Sequence, residues 1–486
     1  MKKIEFFLLI VILFGAFYVR LFKFHEPVAD WHSWRQVDTS AVSRNFVKSG
    51  FDVLHPKFDD LSKNVSMRDN PQGYRFVEFP IYNILQAGFF VIFGYFTLEE
   101  WGRIVTIASS LSSTVFIYLI MKKYVSVRAG LFGSFFFAFI PFNIYYGRSI
   151  LPDSAMVAAI LGGFYFFDRW TEDNIKYWFL FPLALFLITS ALLLKPFALF
   201  LGLPFLAVAY LRYGFRLVIK WQLWFFLIVS IIPLLLWRKW MLQYPEGIPG
   251  YGWLFNGNGI RDKGAFFQWL FAERIAKIIL GYFGLPFVIL GILAKDKKEG
   301  WLLFSFLVST LAYLVVIATG NVQHDYYQIL IIPTLAMLFG KGVDFLLSNT
   351  SQVFNRFTTY TVVLTSLGLM MAFGWYIVRD YYNVRVDAVA AGRAVDRLVP
   401  HDAKVIAPLT GDTTLLYYTN RKGWPVWDRA IREFLAGGAT HMVFANPTAP
   451  ELNFINYFAV VEKTDNYIIY DLRKPLPAAY QELELQ

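Results

Sequence analysis

Ten consecutive residues, Ala29-Asp30-Trp31-His32-Ser33-Trp34-Arg35-Gln36-Val37-Asp38, hold two carboxylates, a histidine, an arginine and two tryptophans directly after the first hydrophobic segment. Charges at the edge of a bilayer are expensive unless they face protein or water, and tryptophan alone suffices as an interfacial anchor. The cluster reads as the floor of a polar site at a membrane face. A carboxylate there, Asp38 or Asp30, can accept a proton from an attacking hydroxyl if neighbours such as Arg35 or Arg148 set its pKa.

Further ionisable groups fall at the ends of apolar runs: Glu78, Arg148, Asp153, Lys195, His324 and Asp325. For Arg148 and Asp325 the plain alternative is an interfacial charge that snorkels to water. Arg35, Arg148 and Lys195, joined by His324, suggest an anionic ligand, because guanidinium matches phosphate in a planar fork and ammonium adds a point charge. Headgroup depth favours a lipid phosphate over a soluble anion. Lys195-Pro196 is also explained by a proline helix break with a snorkelling lysine. Around Gly320 to Tyr327, an aromatic belt accounts for Tyr326 and Tyr327 better than for Gln323 and His324. Asp and His are donors that a divalent metal accepts. No pair has the i, i+4 spacing of a zinc site, so metal binding stays open.

These residues need a scaffold, and composition names its class. With 57% hydrophobic and 16% charged residues among 486, and repeated apolar runs of bilayer length, the chain is expected to be an all-α polytopic membrane protein. The net charge of +10 lies in short loops between apolar runs, the pattern of cytoplasmic loops, so no nucleic-acid partner is implied. Cysteine is absent, which excludes disulfides and thiolate chemistry. The first apolar segment, 4–22, lacks a small-residue cleavage site and is expected to remain as a span with Lys2 and Lys3 inside.

Residues 23–78 then form an outer loop with an amphipathic helix at 39–47 and a turn-rich stretch at 59–73. The segment 79–97 begins Phe79-Pro80 and carries Asn83 and Gln86. Counted as a span, it would place Lys122, Lys123 and Arg128 outside. Laid along the surface, it keeps every later cationic loop inside, including Arg212, Arg216, Lys220, Lys295, Lys297 and Lys298. Spans are then expected at 101–121, 129–146, 154–169, 176–193, 196–212, 222–240, 276–294, 300–318, 326–346 and 357–379. With 4–22 that makes about eleven, leaving the polar cluster and the carboxyl terminus outside.

From 383 the pattern changes to alternating short elements: helix 386–399, strand 404–407, helix 429–435, strand 441–445, and strands near 457–462 and 467–472. A small extramembrane α/β domain is expected over 383–486, following a membrane domain over 1–382. It has no Gly-rich phosphate loop, and no internal repeat is evident.

The arrangement resembles the GT-C membrane glycosyltransferases, and most closely the dolichyl-phosphate-mannose protein mannosyltransferases and the bacterial aminoarabinose-lipid A transferases. The residues that carry the resemblance are Trp34 to Phe46, Glu78-Phe79-Pro80-Ile81-Tyr82-Asn83, Tyr145 to Asp153, Lys195-Pro196, and His324-Asp325-Tyr326-Tyr327 running to Pro333. Two juxtamembrane helices in that family agree with laying 79–97 along the surface. The chain departs from those relatives in two places. Trp34-Arg35-Gln36 and Asp38 stand where they carry an Asp-Glu pair, and Glu78 stands where the aminoarabinose transferases have lysine.

The resemblance implies an inverting transferase in the plasma membrane, working at the periplasmic or extracellular face on a polyprenyl-phosphate sugar donor. Asp38, with Asp30 second, would be the base. Arg148, Lys195, His324 and Arg35 would hold the donor phosphate, and His32, Glu78, Tyr145, Asp153, Tyr326 and Tyr327 would position sugar or an envelope glycan, lipid or protein acceptor. A lipid-linked sugar flippase predicts charges at mid-span and broken helices in paired halves. A non-enzymatic envelope protein leaves the cluster from Asp30 to Asp38 without a use.

Overall fold

The computed structural model of the chain describes residues 3–173, 175–294, 300–350 and 355–483. Lys2, Lys295, Lys297 and Lys298 lie outside the described residues. The fold is mostly helical and divides into two compact units, each discontinuous in sequence. One unit gathers Met1–Phe24, Arg103–Arg238 and Tyr251–Asp380; the other gathers His25–Gly102, Lys239–Gly250 and Tyr381–Gln486.

The first unit is the membrane body. Among the described residues, Leu98–Tyr124, Pro196–Ile219, Trp221–Met241, Asp325–Ser348 and Arg356–Leu398 are long and apolar enough to cross a bilayer, the last through its part Arg356–Val378, since Val386–Leu398 belongs to the second unit. Val127–Phe139, Leu180–Leu194 and Leu302–Val316 are apolar but shorter. These helices make the chain an integral membrane protein. The expected eleven spans are not confirmed by this measure, because several are interrupted. Pro141 divides the segment 129–146 into Val127–Phe139 and Pro141–Tyr146. The segment 276–294 is split into a π-helix, Gln268–Ile279, and an α-helix, Leu285–Leu293, by a turn in which Gly281 and Tyr282 have positive φ. Without a hydrophobic drive between helices in lipid, close backbone approach supplies the packing. Gly291 and Gly342 show it: a Cβ on either would come within 2 Å of a carbonyl oxygen, Leu338 and Phe287 respectively.

The second unit begins with two helices, α2 (Ser33–Ser49) and α3 (Ile81–Phe93), which follow α1 (Lys3–Arg20) in the chain. Helix α3 has 13 residues, about 20 Å at 1.5 Å per residue, too short for a bilayer core of about 30 Å. Its two polar residues face α2. The Ser43 hydroxyl donates to Gln86 Oε1 at 2.8 Å, and Asn83 Nδ2 donates to the Thr39 carbonyl at 2.7 Å.

Helix α2 begins six residues before the expected 39–47 and is not a surface amphipath. His32 caps it in the left-handed region, and Gln36 folds back to donate to Asp30 Oδ1 at 2.8 Å and to the Trp31 carbonyl at 3.3 Å. Eleven of its 17 residues are buried, polar ones included, so its hydroxyls and charges are used inside the protein.

The C-terminal part folds as anticipated around a mixed sheet of β1 (Lys404–Ile406), β2 (Lys422–Trp424), β3 (Ala439–Ala445), β4 (Phe458–Lys463) and β5 (Tyr467–Pro475), in the order β2-β1-β3-β5-β4. Strands β2, β1 and β3 are parallel, and β5 is antiparallel to β3 and β4. Alternate residues feed two cores: Val405, Val443 and Ile469 pack with helix Val386–Leu398, while Ile406, Met442, Ile468 and Tyr470 pack with Trp424 and Phe434. The short helix Thr414–Thr419 and strand β2 were not anticipated. Beyond β2, residues 59–61 run alongside it: Leu61 N–H donates to the Gly423 carbonyl at 2.8 Å, and Gly423 N–H donates to that of Asp59 at 3.0 Å. The loop thereby covers a sheet edge that would otherwise present open N–H and C=O groups, and Leu61 joins the second core.

Candidate active site

The residues singled out in the sequence fall into one cluster in each unit. In the second unit, Asp38 lies one turn into α2 and is buried. Its Oδ2 accepts from Arg75 at 2.8 Å, and its Oδ1 accepts from the Thr413 hydroxyl at 2.6 Å. A carboxylate has about four lone-pair sites, so both oxygens retain accepting capacity. The Arg75 guanidinium also covers the Phe58 ring at 4.9 Å. Asp60 lies in the same cluster, 1% exposed. Its Oδ1 accepts from Ser62 N–H at 2.7 Å, and its buried Oδ2 has no hydrogen-bond partner among the described residues. Burial, with a smaller contribution from the Asp38 charge, pushes the Asp60 carboxyl up to about 7, against the pull of Ser62 and Arg75.

Asp30 is buried and held by Gln36. Arg35, expected among the phosphate-binding cations, is ion-paired with Glu78 and also donates to Thr39 Oγ1 at 3.3 Å. Its charge is matched inside its own unit, where Glu78 supplies the anion at the start of α3. His32 is half-buried between Trp31 and Trp34, at ring-centroid distances of 4.9 and 6.5 Å.

In the first unit, chain breaks position the charges. Helix Pro141–Tyr146 ends at Gly147, a turn carries Arg148, and Pro152 at the first helical position opens Pro152–Glu172 with Asp153 in its first turn. An anion there complements the helix dipole. Lys195 ends Leu180–Leu194, where a cation is favoured, and Pro196 prevents continuation. Lys195 Nζ donates to Asp153 Oδ1 at 2.8 Å, with both side chains at most 7% exposed. The ammonium also lies 5.4 and 5.5 Å from the ring centroids of Tyr326 and Tyr327. The other Asp153 oxygen, Oδ2, is buried without a hydrogen-bond partner among the described residues.

His324 stacks on Tyr326 with centroids 5.6 Å apart. Asp325, fully buried, accepts from the Tyr146 hydroxyl at 2.5 Å and has Arg274 Nη1 at 3.8 Å. Arg148, 2% exposed, donates to the Lys23 carbonyl at 3.2 Å and has its guanidinium 5.6 Å from the Tyr145 ring. Arg103 donates to the neighbouring Phe24 carbonyl. A cavity of about 410 Å³ in this unit has Ala198 and Leu199 in its wall, three and four residues beyond Lys195, together with Phe167, Leu192, Leu206 and Phe226.

Arg75, Asp60, Thr413, Arg103 and Arg274 were missed. Arg103 stands near the start of an apolar run and was open to the argument applied to Arg148. Arg75, Thr413 and Arg274 acquire their meaning from partners distant in sequence, and Asp60 from its burial. Among the described residues, no group of three or more His, Cys, Asp or Glu side chains is placed to hold a metal ion.

The family model for dolichyl-phosphate-mannose-protein mannosyltransferase matches residues 76–237, a segment containing Glu78, Tyr145, Arg148, Asp153 and Lys195. A search of curated proteins gives no match. Among solved structures, ArnT from Cupriavidus metallidurans in the apo state aligns over 95% of this chain and 97% of its own, with TM-score 0.66 and 13% identity. The same protein bound to undecaprenyl phosphate aligns over 97% and 98%, with TM-score 0.67 and 13% identity. The Archaeoglobus fulgidus oligosaccharyltransferase, in complex with Zn and sulfate, aligns over 93% of this chain and 71% of its own, with TM-score 0.59 and 11% identity. The chain has the GT-C fold that these membrane proteins share.

Proposed function

We propose that the chain is an inverting glycosyltransferase that moves a sugar from a polyprenyl-phosphate donor to an acceptor hydroxyl at the outer face of the membrane. The observation that carries this reading is the buried Lys195–Asp153 pair beside Tyr326 and Tyr327, close in sequence to an apolar cavity. Burying two charges is costly, and breaking such a pair leaves one uncompensated. An ammonium that can trade part of its carboxylate contact for a phosphate suits a site that must hold a dianion only briefly. The cavity suits part of an isoprenoid tail. In support, ArnT, which has the same fold, binds undecaprenyl phosphate.

In this mechanism the acceptor oxygen attacks the anomeric carbon as the bond from that carbon to the donor phosphate oxygen breaks. The acceptor proton passes to Asp38, with Asp30 as the second candidate. Polyprenyl phosphate leaves with the bonding electrons, and its added charge is met by Lys195, Arg148 and His324, in the manner of preorganised donors aimed at developing charge. Asp153 Oδ2 would accept from a sugar hydroxyl, with Tyr145, Tyr326 and Tyr327 flanking the ring. Glu78 and Arg35 hold α2 against the start of α3, and His32 lines its amino-terminal end. A single displacement inverts the anomeric centre.

The test is release of undecaprenyl phosphate from a panel of undecaprenyl-phosphate monosaccharides, using purified protein with envelope extract as acceptor. Turnover lost in Asp38→Asn and Lys195→Met supports the reading. Transbilayer movement of a labelled lipid in liposomes, with no sugar transfer, would replace it with a flippase.

A further inference from the structure

The C-terminal sheet domain has no part in the mechanism above, yet it reaches the candidate base. Thr413 occupies the cap position of helix Thr414–Thr419, where a threonine hydroxyl ordinarily accepts from the helix's own first-turn N–H groups. Here it makes no such bond. The preceding residue takes over that task, with Asp412 Oδ1 accepting from Thr414 N–H at 2.8 Å. The Thr413 hydroxyl is thereby released to donate to Asp38 Oδ1 at 2.6 Å, the Trp34 carbonyl being a more distant acceptor at 3.3 Å. Thr413 and Asp38 are both buried.

The domain is also fixed against the helix that carries Asp38. Arg44 of α2 donates to the Tyr417 carbonyl at 2.9 Å, with its guanidinium 4.0 Å from the Tyr417 ring. Lys48 donates to Asn420 Oδ1 at 2.6 Å, and residues 59–61 pair with β2. A domain that only recognised an acceptor would need no donor aimed at a buried carboxylate.

We propose that Thr413 is a positioning residue for the transfer reaction: its hydroxyl, with Arg75 on the other oxygen, holds the Asp38 carboxylate oriented for proton abstraction, so that the C-terminal domain completes the catalytic base. This assignment rests on the reading of Asp38 as the base. Two carboxylate oxygens receive donors from two chain segments, one cationic and one neutral, which fixes both the plane and the rotamer of the side chain. Among the described residues, the charged groups facing Asp38 include Arg75 and Asp60 from the loop, with Arg35 one turn earlier on α2. Thr413 is the neutral donor among them, and the one whose loss changes no charge.

The experiment compares full-length wild type, Thr413→Val, Thr413→Ser and Asp38→Asn on whichever undecaprenyl-phosphate monosaccharide of the panel is turned over fastest. Removing a donor from an ionised carboxylate raises its pKa. Thr413→Val is expected to lower kcat about tenfold and to move the acid limb of the pH–kcat/KM profile up by roughly one pH unit. The donor KM should change less than twofold, and Thr413→Ser should restore both kcat and the limb. Because the limb is read from the molecules that turn over, a misfolded fraction lowers the amplitude without moving it. A Thr413→Val enzyme with wild-type kcat and limb overturns the assignment, as does a Thr413→Ser enzyme as impaired as Thr413→Val. If Asp38→Asn keeps wild-type turnover, Asp38 is not the base and the assignment falls with that reading. If Asp38→Asn is inactive while Thr413→Val is normal, the role of Thr413 alone is refuted.

Discussion

The two charged clusters have opposite surpluses. In the second unit, Asp30, Asp38, Asp60 and Glu78 are set against Arg35 and Arg75. In the first, Arg103, Arg148, Lys195 and Arg274 are set against Asp153 and Asp325. Acid in excess suits a group that must accept a proton, and cation in excess suits one that must hold a leaving phosphate. The supporting contacts differ as well. The acidic cluster takes its donors from other side chains, Arg75, Thr413, Gln36 and Arg35, whereas the cationic cluster leans on carbonyl groups and aromatic rings at helix breaks. The two clusters therefore differ in sign and in supporting material, as the proposed split between a base and a phosphate site requires.

That contrast can be broken most forcefully at Asp38. Asp38→Asn should lower kcat by about 10²- to 10⁴-fold, the ordinary range for a general base, while leaving the donor KM nearly unchanged. Steady-state kinetics against donor concentration would check it, and a rise in KM instead would erase the distinction between the clusters.

Next in size, Lys195→Met should cost roughly 10²- to 10³-fold in kcat/KM. Tight retention of undecaprenyl phosphate by this variant, measured as product inhibition, would move the phosphate site elsewhere.

Arg35→Gln and Glu78→Gln should each destabilise the protein by about 3 kcal/mol, because each leaves a mostly buried charge without its partner. The double variant should recover most of the loss in thermal denaturation. Independent, additive losses would return Arg35 to the list of candidate phosphate ligands.

An effect that depends on pH is expected at Asp60. Its folded pKa, about 7, lies above the usual carboxylate value because of burial. The folded state therefore holds a proton that the unfolded chain gives up near pH 4, and stability falls as pH rises from about 4 through about 7. Asp60→Asn removes this penalty. The variant's gain in Tm over wild type should grow from pH 5.5 to pH 8.5 and level off above 7, whereas a gain independent of pH would contradict the buried protonated form.

Much of the scaffold was legible. The short helix α3 falls inside the segment 79–97, which the signs of the later loops set apart from the spans. The α/β character of the C-terminal part followed from its alternating pattern. What stayed hidden depends on pairing at long range. Asn83 and Gln86 looked anomalous in an apolar run because their partners, Thr39 and Ser43, lie 40 or more residues away on α2. The pairing of Arg35 with Glu78 was hidden in the same way, because sequence displays charge but not the partner 43 residues away. Strand β2 has three residues, Lys422–Trp424, too few for alternation to register, and Thr413 is an ordinary turn threonine until Asp38 is placed beside it. The interruption of span 276–294 rests on close packing of Gly281 against Met370, which no local pattern announces.

The pairing of Thr413 with Asp38 also sets a timetable. The two residues are 375 positions apart, and a ribosome adding about 5–20 residues per second makes the second roughly 20–75 s after the first. During that interval α2 carries its carboxylate without the hydroxyl that orients it, and the loop strand at 59–61 has no β2 to join. A chain stalled or clipped before residue 413 would have its membrane body while lacking the Thr413 contact on Asp38, so completion of the acidic cluster reports that synthesis has reached the C-terminal sheet domain.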